Sequence, residues 1–265
     1  MTRLGKYLYV GRTAVRSNLA YVGEVVARVI FLGVLLYIFL QLWRVTYAET
    51  GAERVGGLTL AQMLWYLAVT ESITLSAPAV APEIDNDVRT GAIAVHLLRP
   101  LSYPLYRLWA TLGERAVRFT INAVVGGTIA LVFVGPISLS LRGLAVFAAA
   151  IPLAFVLDFT AYLVIGLCAF WIENTTGLVL IYSRVTIILG GVLLPINLFP
   201  DTLQAVLDYL PFANVVYGPA RMFVEPDAGF LAGLLARQAA GITVISLLAS
   251  AVYAAAVRRI HAHGG

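Results

Sequence analysis

The chain has 265 residues, of which 60% are hydrophobic and 12% are charged, whereas a soluble domain is about 45–50% apolar and about 25% charged. A chain this apolar cannot cover a folded surface with polar groups, which argues against a water-soluble globule and for a membrane protein. The net charge of +4 comes from dispersed lysines and arginines, so we expect no nucleic-acid partner. The lone Cys168 excludes an internal disulfide.

The N-terminal segment, residues 1–20, has the pattern of an amphipathic helix that lies in the membrane interface. When successive residues are placed about 100° apart, its apolar side chains share one face. These residues are Leu4, Tyr7, Leu8, Gly11, Val15 and Leu19. The cations Arg3, Lys6, Arg12 and Arg16 fall on the other face, where they can meet anionic lipid. A frayed basic tail that only sets the topology is the alternative.

Six apolar segments are long enough to cross a bilayer, whose core of about 30 Å needs about 20 apolar residues per helix. They are residues 21–43, 58–80, 119–141, 144–171, 178–199 and 230–257. We therefore predict an all-α polytopic membrane protein with six transmembrane helices, built as a single domain over residues 1–265.

The distribution of cations predicts the orientation, because lysines and arginines are more frequent on the cytoplasmic side of a membrane. They concentrate in the N-terminal arm, the C-terminal tail and the connection between the second and third spans, residues 81–118. That connection contains Arg89, Arg99, Arg107, Arg115 and Arg118. We expect both termini and residues 81–118 to be cytoplasmic.

Within this connection, the residues between Pro82 and Pro100 predict a helix that projects from the membrane. The carboxylates of Glu83, Asp85 and Asp87 suit its first turn, where the helix dipole favours anions. Apolar residues then repeat at helical spacing. These residues are Ile84, Val88, Ala92, Val95 and Leu98. A docking surface for a partner protein and a solvated loop on the lipid headgroups are equally compatible with this pattern.

Residues 200–229 are too polar for a span and too apolar for an ordinary loop. Asp201 follows Pro200 in the first turn of a predicted helix that Pro211 ends, and a second apolar piece covers residues 214–224. We predict two half-length helices that re-enter the membrane from its outer side before the last span.

Charged side chains inside apolar spans are costly and are candidates for function. Glu24 and Arg28 are four residues apart and can pair on one helix face. Glu71, Asp158 and Arg184 have no evident local partner. Each could bond across the helix bundle, which we favour, or line a substrate path.

Motifs of nucleotide, metal and hydrolytic chemistry are absent. The sequence has no Gly-x-x-x-x-Gly-Lys-Ser/Thr loop, no His-Glu-x-x-His and no Gly-x-Ser-x-Gly. The acidic run that starts at Asp85 departs from a calcium loop, because Thr90 and His96 stand where glycine and glutamate are needed. We expect no metal, no cofactor and no catalytic residue in this chain.

Four local patterns occur in order along the sequence. They are Val88-Arg89-Thr90-Gly91 leading to Leu97-Leu98-Arg99-Pro100, Leu194-Pro195 leading to Phe199-Pro200, Leu210-Pro211-Phe212 leading to Pro219-Ala220-Arg221, and the ending Arg258-Arg259 to Gly264-Gly265. Together with six spans, this order resembles the membrane subunits of type-2 ATP-binding-cassette (ABC) exporters, especially small bacterial permeases without a fused ATPase.

The resemblance implies a multi-pass permease in the bacterial plasma membrane. Two permeases, identical or related, would pair with two separate ATPase subunits, which bind ATP and Mg²⁺ and drive alternating access. Residues 81–118 would couple to the ATPase, residues 1–20 would form the connecting helix, and residues 200–229 would form the re-entrant element. The candidate coupling residues are Glu83, Asp85, Asp87, Arg89 and Arg99.

A second hypothesis is an ion-gradient transporter that uses Glu71 or Asp158 as a proton relay. A third is a membrane scaffold or an intramembrane enzyme, for which the sequence offers no catalytic constellation. The transported substrate is not indicated by the sequence.

Overall fold

The computed structural model describes residues 3–18, 22–98, 100–138 and 141–263. It is 82% helical, and no strand occurs among the described residues. Its helices are α1 Arg3–Asn18, α2 Val22–Thr50, α3 Leu60–Leu75, α4 Val80–Arg89, α5 Ala92–Leu97, α6 Tyr103–Val134, α7 Leu141–Leu167, α8 Thr176–Leu189, α9 Asp201–Leu207, α10 Pro211–Val215, α11 Tyr217–Val224 and α12 Ala228–His263. Short 3₁₀ turns cover Cys168–Phe170 and Ile196–Leu198.

Four helices are long and apolar enough to cross a membrane: α2, α6, α7 and α12. The predicted second and fifth spans correspond to shorter helices, α3 with 16 residues and α8 with 14. At 1.5 Å per residue these are about 24 Å and about 21 Å long, which is less than a bilayer core. The helix of the fifth segment ends at Gly190 because Gly191 takes a left-handed conformation with φ +76°.

α3 lies at the centre of the fold. It begins with a capping box, in which the Gln62 backbone N–H donates to the Thr59 hydroxyl and the Thr59 N–H donates to the Gln62 side chain. From Tyr66 to Ile73 every residue is buried, polar ones included. A helix covered on all sides is a core element, so α2, α6 and α11 pack around it.

The third span begins much earlier than predicted. α6 starts at Tyr103, with Pro104 in its first turn, and runs for 32 residues. The expectation that residues 81–118 form one connection before the third span is therefore wrong for residues 103–118, which belong to α6. Arg107, Arg115 and Arg118 lie on this helix, where each forms an ion pair with a carboxylate.

α1 is a helix, as predicted, and packs along α6. The two backbones approach most closely at Gly11 and Gly113, where a Cβ atom on Gly113 would collide with the Gly11 carbonyl oxygen. The Tyr7 hydroxyl also accepts a hydrogen bond of 3.0 Å from the Ser102 backbone N–H. α1 is thus held against the start of α6 rather than being a free tail.

The close contact predicts that Gly113→Ala separates α1 from α6. We expect a loss of about 1–3 kcal/mol in the free energy of unfolding, because the new methyl group meets rigid backbone. Thermal unfolding in detergent measures the effect. Gly177→Ala is the matched control, since a Cβ there meets nothing within 4 Å, and equal melting temperatures for both variants would contradict the prediction.

Candidate functional site

α4 lies against the end of α7 and the 3₁₀ turn that follows it. Its central side chain, Ile84, is fully buried and rests on Gly166, where an added Cβ would lie 2.8 Å from the Ile84 Cβ. Only glycine permits this approach. The contact fixes α4 on the helix bundle at the end opposite the α2–α3 loop.

The single helix predicted between Pro82 and Pro100 is instead two helices, α4 and α5. Gly91 separates them with φ +73°, a conformation that favours glycine. The break changes the phase of the apolar pattern, so that Ile93 is buried beside Ile84, whereas Val95 and Leu98 are 57% and 87% exposed. The predicted continuous apolar stripe is therefore wrong beyond Gly91.

Asp85 is buried and joins α4 to the start of α8. Its Oδ2 accepts hydrogen bonds from the Thr175 backbone N–H at 3.1 Å and from the Thr175 hydroxyl at 2.9 Å. Thr175 is the N-cap residue of α8, so a carboxylate lies where the helix dipole favours negative charge.

Asp87 and Glu83 join α4 to α6. The Tyr103 hydroxyl donates to Asp87 Oδ2 at 2.7 Å, and Arg107 forms ion pairs with Asp87 and, at 2.6 Å, with Glu83. Asp87 is buried, while Glu83 is half-exposed. Partial desolvation raises the pKa of Glu83 above its usual value, and the neighbouring Arg107 guanidinium opposes that rise.

All three predicted coupling carboxylates thus have internal partners, although Glu83 stays half-exposed. The exposed residues here include Pro82, Asn86 and Arg89 on one face of α4, together with Val95 on α5 and Leu98 directly after it. We call these five residues the α4–α5 surface. Arg99, the remaining candidate, lies outside the described residues.

A second polar cluster lies deeper among the spans. Arg115 on α6 and Asp158 on α7 form an ion pair of 2.7 Å, and their side chains are 2% and 5% exposed. The Tyr182 hydroxyl of α8 donates to the other Asp158 oxygen at 3.0 Å. Asp158 therefore bonds across the bundle, as favoured from the sequence. Its partner is Arg115, which the sequence places in the connection between the second and third spans.

The Arg115 guanidinium has two further hydrogen-bond acceptors and an aromatic ring as neighbours. It donates to the Ser76 hydroxyl and to the Ile73 carbonyl oxygen, both at 3.4 Å, and its Cζ lies 4.3 Å from the centroid of the Phe155 ring. Beside the pair is a cavity of about 100 Å³ that Thr74, Ser183 and Thr186 also line. The cluster connects α3, α6, α7 and α8.

The other predicted intramembrane charges lie apart from this cluster. Glu71 on α3 is 4% exposed and has no hydrogen-bond or ion-pair partner among the described residues. Arg184 lies on an exposed face of α8. Arg28 and Glu24 both belong to α2, and the Glu24 side chain lies outside the described residues.

The segment predicted to re-enter the membrane contains three short helices, α9, α10 and α11. Asp201 begins α9, after Pro200. The prediction that Pro211 ends a helix is wrong, since α9 ends at Leu207 and Pro211 occupies the first turn of α10. Proline suits that position because its missing N–H would have no intrahelical partner there.

Asn214 on α10 holds this segment together. Its side-chain amide donates to the carbonyl oxygens of Asp208 at 3.0 Å and Leu210 at 2.8 Å. Its side-chain oxygen accepts from Arg237 at 3.2 Å, and its backbone oxygen accepts from Gln238 at 2.9 Å. Asn214 therefore bonds the turn after α9 to α10 and connects α10 to α12.

A family model described as ABC-2 family transporter protein matches residues 31–264. The chain belongs to the ABC-2 transporter family. It is a transmembrane permease subunit of an ABC transporter, in agreement with the resemblance seen in its sequence patterns. No curated protein matches it.

Membership of the ABC-2 family implies association with an ABC ATPase in general. It also gives a context to residues that sequence reasoning missed: Arg115, Tyr182, Asn214 and Gln238. Arg115 follows several other arginines in the sequence, so it resembles a residue of the connection between two spans. The apolar run from Phe119 that follows it was the available signal, because a helix can extend beyond its apolar core when a buried charge has a partner.

The buried pair of this ABC-2 permease predicts an asymmetric response to substitution. Arg115→Met leaves the Asp158 carboxylate buried without its cation, and we expect a loss of about 3–5 kcal/mol in the free energy of unfolding. Adding Asp158→Leu removes both charges, so most of the stability should return. Chemical unfolding in detergent measures both variants.

Arg118→Met provides the control, because the Arg118–Glu114 pair joins neighbouring turns of one helix and is more accessible. We expect its loss to cost less than about 1 kcal/mol. If the double variant were as unstable as Arg115→Met alone, the ion pair would not be the cause.

Proposed function

We propose that this permease is the membrane subunit of an ABC exporter. Two permeases, identical or related, pair with two separate ATPase subunits, whose ATP and Mg²⁺ drive alternating access to a path between the permeases. The observation that carries the proposal is the α4–α5 surface. This surface exposes one cation on α4 and two large apolar side chains on and directly after α5. The other faces of α4 are bonded to α6 and α8.

The α4–α5 surface has the composition of a small docking site. Val95 and Leu98 supply apolar area that water would otherwise cover. Arg89, on the neighbouring turn of α4, is exposed and can meet an acidic residue of the ATPase. The predicted contributions of Asp85 and Asp87 are indirect, because their carboxylates hold α4 in place.

A force on α4 would reach the spans through polar contacts at two levels. At the first level Asp85 is bonded to α8, and Glu83 and Asp87 are bonded to α6. At the second level Arg115, which is eight residues along α6 from Arg107 and thus about 12 Å further, joins α6 to α7 and α8. These links support movement of α6, α7 and α8 together with α4.

The far end of the bundle supports the export part of the proposal. α10 and α11 are packed between α3, α7, α8 and α12, and Asn214 bonds α10 to α12. We assign the α9–α11 segment to the exit on the outer side of the membrane.

Pairing with a second permease is supported by the exposed face of α12. Only 11% of its most apolar window is buried within the chain. Val244, Leu247 and Leu248 are all more than half exposed. Gly229 and Gly233, four residues apart at the start of α12, have the spacing that lets two helices approach closely.

Glu71 supports a second candidate function, transport driven by an ion gradient. It is a buried carboxyl group without a partner in the described part of the chain, which is where a proton relay would begin. Asp158 is a poor relay, because Arg115 and Tyr182 bond to both of its oxygens. We favour the ATP-driven mechanism on the family match.

The docking role predicts an effect of Arg89→Glu on ATP hydrolysis. The permease is co-expressed with candidate ABC ATPases from the same genome, and ATPase activity is measured in liposomes. We expect activity only when both proteins are present, and a loss of at least about fivefold with Arg89→Glu, because a repulsive charge replaces an attractive one.

Glu53→Arg is the control, since Glu53 is exposed in the loop between α2 and α3, at the other end of the bundle, and the change in charge is equal in size. ATP hydrolysis by the purified permease alone, or equal losses with both variants, would contradict the docking role.

A further prediction separates the two transport mechanisms. Glu71→Gln replaces the carboxyl group with an amide of similar shape that cannot carry a proton. We expect ATP-driven flux in liposomes to stay within about twofold of the original rate, because a substitution that keeps shape and packing has a small effect. Flux that follows an imposed pH gradient without ATP, and that Glu71→Gln abolishes, would establish the ion-gradient mechanism instead.

A further inference from the structure

A crevice with both polar and apolar lining lies where α1 meets the start of α6. It has a volume of about 890 Å³ and is lined by Lys6 and Tyr7 of α1, Trp109 of α6 and the turn before α6. The hydrogen bond from the Ser102 N–H to the Tyr7 hydroxyl fixes the two sides relative to each other. The crevice therefore offers one cation and two aromatic rings at a helix end, the combination typical of a membrane interface.

An apolar groove continues from this crevice between α6, α7 and α12. It has a volume of about 320 Å³, and Ser102 and Leu105 line both spaces. Phe159, Leu163 and Ala249 form much of its wall. Along α12 it extends from Tyr253 to Ser246, which is seven residues or about 10 Å.

The groove is formed by three of the candidate membrane spans, so the surrounding solvent is hydrocarbon. An apolar groove open to a bilayer accommodates an acyl chain, because lipid tails are the molecules present at that depth. The crevice at its end carries the polar groups of Lys6, Tyr7 and Ser102 beside apolar side chains and is too wide for a tail alone. The two spaces together match one amphiphile with a polar head and an apolar tail.

The charge of α1 determines which head group fits. The helix sequence contains four cations, Arg3, Lys6, Arg12 and Arg16, but neither aspartate nor glutamate. Within the described part of the chain, Lys6, Arg12 and Arg16 have no ion-pair partner. Lys6 is the one that lines the crevice, so an anionic head group would neutralise a cation that the protein itself leaves unpaired.

We propose that the α1–α6 crevice and the adjoining groove form a binding site for one resident anionic phospholipid. Lys6 and the Tyr7 and Ser102 groups contact the head group, and an acyl chain lies between α6, α7 and α12. The lipid joins α1 to α12, which have few direct contacts with each other. This site does not depend on the transport mechanism proposed above.

The test measures lipid retained by the full-length protein. The chain is reconstituted in nanodiscs of equal parts phosphatidylglycerol and phosphatidylcholine, extracted in mild detergent, and its bound lipids are counted by native mass spectrometry. We expect one phosphatidylglycerol per chain, and about fivefold less with Lys6→Gln, the factor that one cation near an anionic head group contributes. Ser250→Phe places a ring in the groove and should abolish retention of both lipids.

Matched controls lie on the same helices. Arg12→Gln removes an exposed cation of α1 that does not line the crevice. Thr243→Phe replaces an exposed α12 hydroxyl that, like that of Ser250, bonds only to the carbonyl oxygen four residues earlier. Both controls should retain lipid. The melting temperature of Lys6→Gln should match the original when no lipid is supplied, which excludes misfolding as the cause of its loss.

Several results would overturn the proposal. Equal retention of the two lipids would show that the site does not select an anionic head group. An equal loss with Arg12→Gln would mean diffuse attraction to α1, and an equal loss with Thr243→Phe would mean that the groove is not the site. Release of the lipid when the ATPase and ATP are added would identify it as cargo rather than as a resident lipid.

Discussion

Arg115 and Asp158 form an ion pair that is almost completely buried among apolar helices. Desolvating two charges costs several kcal/mol each, and only good geometry and additional hydrogen bonds offset that penalty. Both conditions hold, because Tyr182 donates to the carboxylate and Ser76 accepts from the guanidinium. A buried pair of this kind adds little net stability but strongly disfavours any arrangement that separates its charges. It therefore fixes how α6 and α7 sit against each other.

The positions of α4 and of the buried pair are linked by this constraint. α6 carries Arg107 near its start and Arg115 two turns further on, and each binds a carboxylate of a neighbouring helix. α8 is connected in the same way, through Thr175 to Asp85 and through Tyr182 to Asp158. Asp85 and Asp87 of α4 thus face inward, and the exposed residues available to a partner include the α4–α5 surface. Asp85 and Asp87, which the sequence suggests as docking residues, instead hold α4 in place.

The sequence predicted the helical membrane fold, the family, α1 and the four longest apolar helices, because apolar length and the spacing of cations are local properties. It did not predict the start of α6. A charged residue such as Arg115 is typical of a connection between spans unless it has a buried partner. Its partner, Asp158, is 43 residues away in the sequence, so the pairing is not a local property. The break at Gly91 and the role of Pro211 were missed for a different reason. Each residue type suits both the end and the start of a helix, and packing decides between them.

The two short helices show why counting apolar residues fails in this fold. α3 and α8 do not reach across a bilayer core, yet the backbone after α8 is satisfied within the protein. The Tyr66 hydroxyl donates to the Gly191 carbonyl oxygen, and Thr70 donates to that of Val192 at 3.4 Å. α3 therefore supplies the hydrogen bonds that helical geometry no longer provides beyond Gly190. A central helix with polar side chains facing an irregular segment can thus bond carbonyl oxygens of that segment that no helix satisfies.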